Sequence, residues 1–140
     1  MAKDWKPWII SLTELPAARE AKIDASFFPP VSFETLAIRE ADHAVVIPPR
    51  LRSFIEHSDG LEAQRGEIWP VLPLAKWEFL DCGCISADPW IRFGETDAFR
   101  YLISLGEGCP VYRHEIFGSK EEFFAGDFEK YLEKVFRNEA

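Results

Sequence analysis

The sequence predicts an α+β domain: an antiparallel β-meander packed with N-terminal helices and a C-terminal helix. Three observations predict it. Apolar residues recur at helical spacing in the first 60 positions, alternate between about residues 68 and 115, and return to helical spacing at the end of the chain. The alternating segments are joined by short turns, which suit antiparallel neighbours, because parallel strands need a long crossover. The 140 residues have the size of one domain, read as 1–140, and can bury a core without disulfides or metals.

The first 40 residues carry the faintest pattern and are read as a helical extension. LPAAREAKIDASFFPP suggests a short helix over Ala17–Ala25, stopped by Pro29-Pro30, since the residue before a proline is pushed out of the helical region. VSFETLAIREADHAV predicts a helix capped by Ser32. Its first turn holds Glu34, where the dipole favours a negative charge, and Phe33, Leu36 and Ala37 form its apolar stripe. IPPRLRSFIEHSDG predicts a helix over Pro49–Ser58. A proline is tolerated in the first turn, where its missing N–H would be unbonded. Leu51, Phe54 and Ile55 make one stripe, and Asp59-Gly60 closes the helix.

The period then changes to two. EIWPVLPL gives a strand at about Ile68–Leu72, with Pro70 pointing to an edge position or irregular pairing. PWIRFGE and AFRYLISL give strands over Trp90–Phe93 and Phe99–Leu105, the second with Phe99, Tyr101 and Ile103 on one face. Gly106-Glu107-Gly108 is a tight turn, and CPVYRHEIFG gives a third strand centred on Val111 and Tyr112. Phe123-Phe124 suits a short last strand. Asp127 then caps a helix in which Phe128, Tyr131, Leu132, Val135 and Phe136 fall at i, i+3, i+4, i+7 and i+8.

Charge narrows the function. The formal net charge is −8. Residues 1–66 hold 8 basic and 10 acidic side chains, and residues 67–140 hold 8 and 14. A nucleic-acid partner needs phosphate neutralised by Lys and Arg, so none is expected. An acidic second half suits a basic protein partner, or serves only solubility. No apolar run approaches the roughly 20 residues that span a bilayer, and the start reads as cytoplasmic rather than as a signal peptide. Three cysteines, Cys82, Cys84 and Cys109, fit free thiols in a reducing compartment; a redox or metal role is the competing reading.

Signatures of chemistry are sparse. No Walker loop, G-x-G-x-x-G, H-E-x-x-H or nucleophile elbow occurs. His43, His57 and His114 read as structural, and no enzymatic reaction, cofactor or metal is expected. Glu95 and Asp97 sit at the tip of a hairpin, Asp81 and Asp88 border the loop before it, and Glu107 lies in the next turn. Such acids serve as turn residues, as an acidic docking surface, or as a metal-binding or catalytic pair. Of the five tryptophans, Trp69, Trp77 and Trp90 lie nearest these acids and are candidate interface anchors beside them.

Five segments resemble, in order, motifs of the SUKH superfamily, which groups bacterial toxin-immunity proteins with fungal cell-wall-synthesis regulators of the Smi/Knr type. IPPRLRSFIEHSDG is similar to its proline-initiated helix, and IWPVLPL to its W-P-l segment. WIRFGETDAFRYLISL with CPVYRHE is similar to its glycine-bearing hairpin and next strand, and FFAGDFEKYLEKVF to its closing helix. The likeness covers about residues 47–136. The chain departs from the pattern at Asp59-Gly60, which stands for Asn-Gly, at Asp97-Ala98, which replaces a Gly-Asp pair, and at Gly106 or Glu107, where an aspartate often ends the strand. The resemblance implies a SUKH-like fold and a protein-binding role without catalytic residues. The expected function is that of an immunity protein neutralising a cognate bacterial toxin, of basic nuclease type if the acidic surface mimics nucleic acid. The alternative is a housekeeping regulatory or scaffolding module without a toxin partner. Oligomeric state is left open.

Overall fold

In the computed structural model, which describes residues 4–64, 67–80, 88–118 and 120–139, the alternating segments form one antiparallel sheet. The chain runs α1 (Trp5–Thr13), α2 (Pro16–Ala21), β1 (Ser26–Phe27), α3 (Phe33–His43), α4 (Pro49–Ile55), β2 (Leu61–Ala63), β3 (Ile68–Val71), β4 (Glu78–Leu80), β5 (Trp90–Glu95), β6 (Phe99–Ser104), β7 (Val111–Glu115), β8 (Glu121–Ala125) and α5 (Phe128–Phe136). The strand order is β1-β2-β3-β5-β6-β7-β8, and β4 also pairs with β5. The α+β class and the meander are as the sequence predicts. β1, β2 and β4 extend the sheet beyond the strands that alternation reveals, because two or three residues are too few to show a period.

Pro70 explains why β3 and β4 share β5. Lacking an N–H, it cannot continue a ladder. β3 meets β5 at Trp69 and Glu95, the chain leaves through a 3-10 turn at Leu74–Lys76, and β4 returns to pair Glu78, Phe79 and Leu80 with Arg92, Ile91 and Trp90. The expected irregular pairing is therefore present, within a strand that has neighbours on both sides. Gly60 also differs from expectation. α4 ends at Ile55 with a right-handed cap at Glu56, short of Ser58. Gly60, at φ +107, instead lets the backbone run against Val71 and Pro73, where a Cβ would sit 3.1 Å from the Val71 carbonyl oxygen. Asp59 Oδ1 fastens the same corner by accepting from the Leu74 N–H at 2.8 Å.

One face of the sheet buries the helices. Ile91, Phe93, Tyr101, Ile103, Val111 and Phe124 share a core with residues of all five helices. α5 presents the five residues its period selects, all buried, and Asp127 Oδ1 accepts from the Lys130 N–H. α4 buries Leu51, Phe54 and Ile55 as expected. α3 is capped by Ser32, yet only Leu36 of its expected stripe is buried; Phe33 is 69% exposed, with the Arg52 guanidinium 5.1 Å from its ring centroid. The helix expected over Ala17–Ala25 is α2, which ends earlier, at a left-handed Lys22. α1 has no counterpart in the sequence reading, and it puts Trp5, Ile9 and Leu12 into the core.

Two phenols lie inside this core. Tyr131 donates its hydroxyl to the Pro70 carbonyl oxygen at 2.7 Å, and Tyr101 packs edge-on against Phe124 at 5.1 Å. Burial pushes both phenols above their ordinary value, Tyr131 well above it. The unfolded chain releases these protons near pH 10 while the fold retains them. The stability they contribute is thus full below about pH 10 and lost as pH rises beyond it. Urea midpoints are expected to fall as pH rises past about 10. Tyr131→Phe should cost about 1 kcal/mol at neutral pH, from the lost hydrogen bond, and should make the alkaline fall shallower. An equally steep fall in that variant would place the titration elsewhere.

Candidate interaction site

Strand alternation sends the other half of the side chains to the opposite face of the sheet. Two rows result. In one, Glu78, Arg92, Leu102, Tyr112 and Phe123 lie side by side across β4, β5, β6, β7 and β8. In the other, Trp69, Glu95, Arg100, His114 and Glu121 do so across β3, β5, β6, β7 and β8. The first row is aromatic toward β8. Trp90 meets Tyr112 edge-on at 5.0 Å, and Tyr112 meets Phe123 edge-on at 5.8 Å. Such pairs are worth about 0.5–1.5 kcal/mol beyond area burial and hold one another's orientation. Phe123 remains 61% exposed.

On this face three carboxylates, Glu78, Glu95 and Glu121, stand among two guanidinium groups, Arg92 and Arg100. Arg92 bonds Glu78 at 2.7 Å. Glu95 lies opposite Arg100, and His114 lies between Arg100 and Glu121. Directly opposed charges of opposite sign stabilise a sheet by about 0.2–1 kcal/mol. One oxygen of Glu121, Oε2, is shielded and takes no hydrogen bond.

The predicted acids do not form one patch. Asp88 and Glu107 are exposed at one end of the β5–β6 hairpin, where a side chain on Gly106 would run into the Asp88 carboxylate. Half-buried Glu95 and exposed Asp97 lie at the other end. Asp88 and Asp97 are nine positions apart, roughly 30 Å of extended chain. The tip is fastened by Thr96, whose Oγ1 accepts from the N–H groups of Ala98 and Phe99. Asp81, with Cys82 and Cys84, lies outside the described residues.

The tryptophans separate too. Trp77 is buried and donates to the Leu72 carbonyl oxygen at 2.7 Å, so it braces the core instead of offering an anchor. Trp90 is 1% exposed, and its Nε1 has no hydrogen-bond partner. Trp69 alone of the three keeps part of its surface open, stacked on Phe28 at 5.6 Å. The residues that sequence reasoning missed are Tyr112, Phe123 and Phe117, the last wholly exposed in the β7–β8 hairpin. A signal for them exists: β6 to β8 carry apolar residues on both parities, more than one core-facing side requires.

Among the described residues no cluster of three His, Cys, Asp or Glu could hold a metal ion, and no helix is long and apolar enough to cross a membrane. His57 and His114 share hydrogen bonds with backbone oxygens of Ser53 and Glu115, and His43 stacks on Phe79 at 4.0 Å. Cys109 is free, and partial burial pushes its thiol up, away from the reactive thiolate. No protein-family model matches the chain, and no curated protein matches it.

Proposed function

We propose that the chain is a non-catalytic protein-binding domain of immunity type, which neutralises a basic, nuclease-type toxin. The observation that carries this reading is charge: a net −8, with most of the excess in residues 67–140. Exposed Asp88, Asp97 and Glu107 stand at both ends of the central hairpin, so the field is spread over the molecule and steers a basic partner without one acidic pocket. The motif order resembling SUKH immunity proteins supports the same reading.

The mixed charges and edge-on aromatics of the sheet face opposite the core favour a second reading, a regulatory or scaffolding module that recognises an endogenous partner by shape and aromatic contact. Capture of the tagged protein's partners in its native host separates the two. The immunity reading expects a basic protein held at low salt and released as ionic strength rises, because surface attractions are screened beyond about 8 Å at physiological salt. Reversing Glu95, Asp97 and Glu107 to lysine should slow association about tenfold. Unchanged association, or a partner indifferent to salt, would sink the electrostatic mechanism.

A further inference from the structure

The meander stops at β8, the last strand of the sheet among the described residues. An edge strand presents unpaired backbone donors and acceptors, a template for another extended chain. Here one acceptor has already drawn a substitute: Lys134 reaches back from α5 and donates to the Phe124 carbonyl oxygen at 2.6 Å. Two exposed aromatics belong to this edge, Phe123 on the strand and Phe117 in the hairpin leading into it. Between them lie Glu121, with its shielded and unbonded Oε2, and exposed Glu122, which shares Arg113 at 2.7 Å.

We propose that the edge of β8 is the docking site for the partner, which adds an extended basic segment to the sheet. This rests on the reading of a basic protein partner and deepens it. Alternation sets the chemistry of the segment. A residue beside Glu121 lies on the face opposite the core with Phe123, and a residue beside Glu122 lies on the core side with Phe124. The segment therefore carries two adjacent Lys or Arg against Glu121 and Glu122, followed by an apolar residue against Phe123. A second copy of the chain answers this chemistry poorly. Antiparallel self-pairing about Phe123 would set Glu121 against the second copy's Ala125 and Glu122 against its Phe124, giving neither carboxylate a cation from the second copy; Glu122 would keep only Arg113.

The test uses the full chain and a synthetic ten-residue peptide with a Val-Lys-Lys-Val centre. One control replaces the two lysines with glutamates; the other N-methylates the backbone and keeps the side chains. Amide hydrogen exchange at Glu121–Ala125 is expected to slow about tenfold with the lysine peptide and to be unchanged by either control. Phe123→Lys, at an exposed position, should abolish the protection without unfolding the domain. Protection elsewhere, none at all, or equal protection by the N-methylated peptide overturns the site. Protection that grows with protein concentration in the absence of peptide would assign the edge to a second copy instead. Native-host capture with Phe123→Lys keeps the two readings apart. A basic partner still held by that variant removes the docking site and leaves the immunity reading. Peptide protection of β8 in a protein that captures no basic partner does the reverse.

Discussion

Gly94→Ala is expected to destabilise the fold by about 3 kcal/mol, the cost of overpacking a buried contact together with a lost buried hydrogen bond. A Cβ at position 94 would lie 2.5 Å from the Pro70 carbonyl oxygen and 2.8 Å from the Tyr131 hydroxyl. The nearer atom is backbone, so no side-chain rotation relieves the clash. β3 must move away from β5, straining the one register pair between these strands, Trp69 with Glu95, and the hydrogen bond from the Leu72 N–H to the Phe93 carbonyl oxygen at 2.7 Å. The same movement breaks the hydrogen bond from Tyr131 to Pro70, which ties α5 through the sheet to β3. Gly108→Ala is the natural control. Gly108 has a positive φ of 77 but open space around its missing Cβ, so the substitution should cost only about 1 kcal/mol of backbone strain. Urea unfolding of the two variants measures the difference. Equal losses would mean that β3 is not clasped between β5 and Tyr131.

That clasp also shows where the sequence is legible. Gly94 occurs in a segment, PWIRFGE, that reads as strand followed by turn, and nothing local says that Pro70 and Tyr131 converge on it from 24 and 37 positions away in the chain. The period of α5 is legible because nine residues give two and a half turns in which one face alone is apolar. β6 is legible for the equivalent reason at period two. α3 misleads because Phe33 and Ala37 sit at the right spacing for burial but Leu36 is the one residue the helix buries; the Arg52 guanidinium covers part of the phenyl face instead. The candidate site is legible in its residue types and not in its geometry. Asp88, Glu95, Asp97 and Glu107 are near one another in sequence, yet a hairpin sends Asp88 and Asp97 to opposite ends. The edge at β8 depends on which strand comes last, a property of topology that no local pattern contains.

Trp5→Ala should cost about 4 kcal/mol, a large share of the roughly 5–15 kcal/mol that stabilises a domain. The sequence marks residues 1–40 as an extension, and in WKPWIISLT the apolar residues outnumber the polar ones too heavily for a clear stripe. The structure places Trp5 at 1% exposure, between α4 and α5. Its ring meets Phe54 edge-on at 5.7 Å and Phe128 edge-on at 5.6 Å, and its Nε1 donates to Ser53 Oγ at 3.0 Å. Truncation to alanine empties the centre of this three-ring cluster, and Phe54 and Phe128, themselves fixed on two helices, cannot close the gap fully. Ile10→Ala, on the same helix but 44% exposed, should cost well under 1 kcal/mol net of helix propensity, because alanine favours the helix while little buried area is lost. Chemical denaturation of both variants decides the status of α1. A difference of several kcal/mol makes the first helix a structural part of the core, so that a fragment beginning near residue 47, where the family likeness starts, would lose Trp5 and the Phe54 and Phe128 contacts it supplies. A difference near zero would mean that α1 packs loosely and that residues 47–139 hold together by the sheet and α5 alone.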